Sequence, residues 1–220
     1  MINVENTNEA YIKRIINELK KIDYIKPDEI PNIDLYMDQV TTFMDQHLSA
    51  CKRYDDDKML TKTMINNYTK NNLLPSPNKK KYSKEHMLLL IFIYYMKSFL
   101  SISDIQTIFG PLTEKFYENN SEIDLEAIYK EVFDFEVEQM EPLTKDVIRK
   151  YTKSKSTFSQ VENEEDREFL QTFSCICMLS FDVYVKKLII ERIIDQEFHG
   201  KKKGSDESKK NKEKNSTYLQ

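Results

Sequence analysis

Three histidines, three cysteines and one run of aspartates are the side chains from which catalysis or metal binding would have to be built. None of His47, His86 and His199 stands at a metal-ligand spacing from Cys, Asp or Glu, so no H-E-x-x-H or Cys/His zinc pattern forms. Cys175 and Cys177 would point about 200° apart on a helix, which is wrong for holding one ion. With Cys51 they make an odd, sparse set, unlike a disulfide framework. They read as buried apolar cysteines in a reducing compartment. Asp55-Asp56-Asp57 lacks the central Gly and closing Glu of a calcium loop and reads as a solvated loop. Only three glycines occur, Gly110, Gly200 and Gly204, and none forms a phosphate-cradling G-x-G-x-x-G or G-x-x-x-x-G-K-[ST]. No G-x-S-x-G or cysteine-nucleophile signature is present. The expectation is a non-enzyme with no catalytic residues, no metal and no cofactor.

What remains is chemistry suited to DNA. Asn66 and Asn67 can each hydrogen-bond the N6/N7 edge of adenine. Thr61, Lys62, Thr63 and Lys70 share their segment, and Lys79, Lys80, Lys81 and Lys84 follow. Lysines neutralise phosphates. The formal charge of −4 argues against unspecific coating of nucleic acid, but its distribution is uneven. From Lys58 to Lys97 there are eight lysines and one acid, Glu85. From Pro111 to Lys150 there are eleven acids and five bases. Such asymmetry suggests a basic working surface on an acidic body. A plain solvated face and a charged turn are the competing reading.

The elements that must position these residues read as helices. An amphipathic helix is expected over 8–22 with Tyr11, Ile12, Ile15, Ile16, Leu19 and Ile22 on one face. Pro27 and Pro31 break the chain. A second helix is expected over 34–48 with Asp34 as its cap, and a third begins at the N-cap Thr61 and ends near Asn71-Asn72. Leu73-Leu74-Pro75-Ser76-Pro77-Asn78 is extended. Ser83 caps a fourth helix through Phe99, and Ser103 a short fifth, stopped by Gly110-Pro111. Further helices are expected near 124–140, 143–153 and 165–198. No Asn-Gly or Asp-Gly occurs to favour a tight hairpin, which makes an all-β reading a poor one. The longest wholly apolar run, Met87 to Met96, is far short of the roughly 20 residues that span a bilayer. It reads as a buried helix. With a polar N-terminus that shows no secretory signal, the expectation is a cytoplasmic protein without a membrane partner.

The layout from Thr61 to Phe109 carries a resemblance. Met64-Ile65-Asn66-Asn67-Tyr68, Leu73-Leu74-Pro75, Tyr82-Ser83, the run from Met87 to Ile93, and Leu100-Ser101-Ile102-Ser103-Asp104-Ile105 follow the pattern of MerR-type winged helix-turn-helix regulators. The stretch from Leu35-Tyr36-Met37-Asp38-Gln39-Val40 through Ile105 is similar to an uncharacterised family of MerR-like proteins, a domain of unknown function from Gram-positive bacteria. The resemblance implies DNA-binding ancestry and dimerisation through a C-terminal helix. Three positions depart from the MerR pattern: Asn66 stands for an Arg, Asn72 for a Gly, and Lys80-Lys81-Tyr82 for Gly-Tyr-Arg in a shortened wing.

The long segment from Asp166 to Phe198 has an apolar stripe of Phe169, Phe173, Ile176, Val183, Ile190 and Ile194, too broad for an ordinary surface helix. Phe173, Ile176, Val183, Ile190 and Ile194 are the expected dimer interface, with burial inside one bundle the alternative. The resulting fold class is all-α, mainly helical with a short wing: a winged helix-turn-helix followed by a C-terminal helical dimerisation region. Its expected parts are an N-terminal helical segment (1–33), a MerR-like helix-turn-helix (34–110), a helical region (111–198) and a disordered tail (199–220). The expected function is DNA-binding transcription regulation by a homodimer on duplex DNA, its small-molecule effector unknown. The alternative is a helical adaptor that has lost DNA binding.

Overall fold

The computed structural model describes residues 4–19, 24–118 and 122–199. In chain order the elements are α1 (Val4–Leu19), β1 (Leu35–Tyr36), α2 (Met37–His47), α3 (Lys62–Lys70), β2 (Lys81–Tyr82), α4 (Lys84–Met96), α5 (Ile102–Phe116), α6 (Leu125–Ser154) and α7 (Glu164–Ile194). The fold is mostly helical. The apolar run that opens at Met87 becomes the central helix: from His86 to Ile93 every residue of α4 is buried. Around it pack Val40, Phe43 and Met44 of α2, Ile65 and Tyr68 of α3, Ile105 and Phe109 of α5, and Leu125, Tyr129 and Phe133 of α6. Among the described residues, no helix is long and apolar enough to cross a membrane.

Several helix ends lie elsewhere than local signals place them. Asp34 does not cap α2, because Leu35–Tyr36 first pairs as a strand. The N-cap is Tyr36, whose N–H donates to Gln39 Oε1 at 2.9 Å. Ser101, not Ser103, caps α5: its Oγ accepts from the Asp104 N–H at 3.1 Å, and Asp104 Oδ2 accepts from Ser101 Oγ at 2.7 Å. Nor does Gly110-Pro111 stop α5, which runs on to Phe116. The residue before a proline is kept from the helical region partly by its own Cβ, which Gly110 lacks. The expected break between 140 and 143 is also absent, since α6 continues through Pro142 to Ser154. α1 is described from Val4 to Leu19, with Ile12 and Ile16 buried. The side chains of Leu19 and His199, the whole of Ile22, and the expected tail over 200–220 lie outside the described residues.

α6 and α7 form an antiparallel hairpin, each arm about 45 Å long at 1.5 Å per residue. Near its tip, buried Gln171 donates through Nε2 to the carbonyls of Lys155 at 2.9 Å and Thr157 at 3.1 Å. Midway, Lys150 bridges Asp146 of its own helix and Asp182 of α7. The end of α7 and a following π-helical turn (Asp195–His199) dock on α5. This divides the expected dimer interface. Phe173, Ile176 and Val183 are more than half exposed, whereas Ile190 packs against the core and Ile194, 2 % exposed, lies within it. Ile194 and Ile190 are therefore satisfied within the chain, because the helix end that carries them closes the core.

Candidate nucleic-acid interface

α3 is short and amphipathic. Thr61 caps it, its Oγ1 accepting from the Met64 N–H at 3.2 Å. Ile65 and Tyr68 face the core, while Lys62, Thr63, Asn66, Asn67 and Lys70 are exposed. That outward face has no carboxylate. The helix ends in a Schellman arrangement. The Leu73 N–H donates to the Tyr68 carbonyl at 2.8 Å and the Asn72 N–H to that of Thr69 at 3.1 Å. Asn72 holds the left-handed conformation, φ 55°, that glycine most easily supplies. Asparagine tolerates it better than most residues, so Asn72 does the work of the missing Gly. The turn drives Leu73 and Leu74 into the core. α5 holds the same end through Gln106, whose Nε2 donates to the Asn71 carbonyl.

The lysine run forms a hairpin. β1 and β2 pair antiparallel, Leu35 opposite Tyr82 and Tyr36 opposite Lys81. The Lys81 N–H donates to the Asn78 carbonyl at 2.9 Å, closing a two-residue tip of Lys79 and Lys80. Both tip residues have positive φ, 48° and 65°. Such tips are usually built with Asn-Gly, so the absence of that dipeptide does not exclude a tight hairpin here.

The lysines differ in how they are held. Lys62 pairs with Asp38, and Lys84 Nζ lies 2.7 Å from Glu126 of α6. The ammonium of Lys81 sits 5.2 Å above the Tyr36 ring, within cation–π range. Lys70, Lys79 and Lys80 are exposed, with no carboxylate partner among the described residues. Asp38 lies in the first turn of α2 and Tyr36 is its N-cap, so Lys62 and Lys81 converge on one helix end. The start of α3 and the base of the hairpin thus share a face.

His86 anchors this arrangement from beneath. It is 2 % exposed and accepts at Nδ1 from the Ser83 N–H at 3.0 Å, which places the ring proton on Nε2. The Tyr117 hydroxyl lies 3.0 Å away, and the backbone of Ser76 hydrogen-bonds the ring. One imidazole thereby joins the start of α4, the segment after α3 and the end of α5. Burial holds its pKa below the usual 6.5, against the Ser76 bond and the charges of Glu118 and Asp34. Burial likewise pushes the Tyr117 hydroxyl up. Spacing in the sequence speaks only against His86 as a metal ligand; its position three residues after the cap Ser83 is the local signal for its anchoring role. Asp38 and Glu126 were not anticipated, since nothing local marks them as partners of lysines far along the chain.

Asp57 Oδ2 accepts the N–H groups of Arg53 and Tyr54 at 3.2 and 3.0 Å, and so shapes its own loop. Among the described residues no group of three His, Cys, Asp or Glu side chains is placed to hold a metal ion.

Against known proteins, a family model described as a domain of unknown function (DUF1836) matches residues 25–132. The match spans the elements around α4 and the first turns of α6, including every residue of the candidate interface, and leaves out the outer hairpin. No curated protein and no solved structure matches the chain.

Proposed function

We propose that the protein is a DNA-binding regulator in which α2 and α3 act as a helix-turn-helix and the Asn78–Lys81 hairpin acts as a wing. The observation that carries this reading is the carboxylate-free outward face of α3 beside a hairpin tip of two unpaired lysines. A recognition helix meets base edges through the polar residues of its N-terminal part, here Lys62, Thr63, Asn66 and Asn67. Lys70, Lys79 and Lys80 meet phosphates, and Lys62 exchanges Asp38 for one. One such module makes few phosphate contacts, so a two-fold dimer reading a palindrome completes the proposal. The engagement of Lys62 by Asp38 and Lys84 by Glu126 favours the second reading, an adaptor that no longer binds DNA.

Fluorescence anisotropy separates the two, with duplexes from the region upstream of the protein's own gene and a series of salt concentrations. The expected result is binding that weakens steeply with salt. Replacing Lys79 and Lys80 with Ala lowers affinity for every duplex and flattens the log–log slope by roughly 2. Asn66→Ala instead reduces discrimination between sequences, by about 1–3 kcal/mol for a bidentate contact. Salt-independent binding, or no binding, leaves the adaptor reading.

A further inference from the structure

We propose that a cavity at the root of the α6–α7 hairpin binds a lipophilic organic cation. The cavity, of about 540 Å³, lies between the end of α4, the early part of α6 and Tyr24. That volume falls in the range of small-molecule sites. Its wall is aromatic: Tyr24, Phe92, Tyr95, Phe99 and Phe133 all line it. Phe133 is the hub, its ring stacked at 5.2 Å on Tyr24 and 5.4 Å on Phe92, with Tyr95 tilted at 5.5 Å. Met96 and Met140 add polarizable sulfur.

Among the described residues that line the cavity, Glu136 is the only ionisable acid or base apart from the tyrosine hydroxyls. It stands one helical turn from both Val132 and Met140, on the side of α6 that forms the wall. It has no ion pair or hydrogen bond among the described residues, and as an exposed residue it sits at the rim. Aromatic rings carry a negative quadrupole on their faces, which attracts cations. A neutral hydrocarbon would use the wall and ignore the carboxylate, and an anion would be repelled by both. A cation wrapped in apolar groups, such as a quaternary ammonium or phosphonium with aryl substituents, uses both. The ligand's charge then meets Glu136 while its rings lie against Phe133 and its neighbours. This site is separate from the α3 face, and its test needs no DNA.

Tetraphenylphosphonium and tetraphenylborate have one shape and opposite charges, so they isolate the charge preference. Isothermal titration of the full-length protein is expected to show one phosphonium bound per chain, at least about tenfold more tightly than the borate. Glu136→Gln, on an exposed helix surface, is expected to bring the two within about threefold of each other. Val137→Trp, which fills the mouth, is expected to abolish binding of both, with the helical circular dichroism unchanged. The phosphonium should also raise the melting temperature of the wild type and not of V137W. Equal affinity for both ions, absence of phosphonium binding, or an unchanged preference in E136Q overturns the proposal.

Discussion

Lys79 and Lys80 occupy backbone conformations that cost a residue with a Cβ roughly 1–2 kcal/mol each. A hairpin tip selected for stability alone would place Gly at one of them. Strain held at a tip that carries two exposed charges is the pattern of a contact site. Lys80→Gly is therefore expected to stabilise the fold by about 1 kcal/mol while weakening DNA binding. Urea unfolding and the anisotropy assay measure the two effects, and a loss of stability on K80G would refute the strain argument. The outward residues of the candidate interface were legible from spacing alone. Lys62, Thr63, Asn66, Asn67 and Lys70 alternate with buried Ile65 and Tyr68 as a helix dictates. The counter-charges were not legible. Asp38 and Glu126 reach Lys62 and Lys84 only through the tertiary fold.

Helix interiors followed from periodicity, and helix ends did so less well. In α5 the apolar spacing Ile105, Ile108, Phe109, Leu112 continues across Gly110-Pro111, and all four contribute to or pack against the core. Burial of that stripe outweighs the local breaking signal, as tertiary packing does over propensity. The ends that local chemistry did place are those where a side chain closes the helix, as Thr61 and Ser83 do. Ser83 works through His86, and this junction of elements carries an acid sensitivity. His86 is buried with its pKa depressed, so the unfolded chain takes up its proton first as pH falls. The stability that its neutral form contributes is complete above the ordinary value of 6.5 and is lost as pH falls below it toward the folded pKa. The slope is at most about 1.4 kcal/mol per pH unit. Burial raises the pKa of neighbouring Glu85, which acts in the opposite sense as pH rises past its usual 4.5. Comparing wild type with His86→Gln cancels that contribution. Glutamine keeps the acceptor for the Ser83 N–H. H86Q is expected to show a flatter stability profile below pH 6.5, measured by urea midpoints; identical profiles would mean that His86 does not titrate on unfolding.

At the scale of the whole molecule, the hairpin poses a question that the core does not. The turns of α7 that pack on α6 bury Gln171 and Cys175, while the opposite face holds Phe169, Phe173, Ile176, Val183 and Tyr184 in the open. Those outward positions follow the four-then-three spacing of a coiled-coil seam at 169, 173, 176, 180 and 183, with Ser180 the one polar member. The stripe was legible in the sequence, but its division was not. Only the docking of the helix end on α5 shows that Ile190 and Ile194 belong to the protomer, while the upper turns remain without cover in a single chain. Monomers rarely leave contiguous apolar patches larger than a few hundred Å² in water, so such a face calls for a cover. A second copy of the hairpin supplies the same seam, and an isologous pairing satisfies both at once. The expectation is a homodimer joined through the Phe169–Tyr184 face. Light scattering at micromolar concentration is expected to give twice the chain mass of 26.3 kDa. Ile176→Glu and Ile194→Glu then discriminate. I176E, on the open seam, is expected to yield a folded monomer with unchanged helical content. I194E puts a charge into the core and is expected to cost several kcal/mol of stability. A wild-type mass of 26.3 kDa that does not vary with concentration would show that the seam has no second copy to meet.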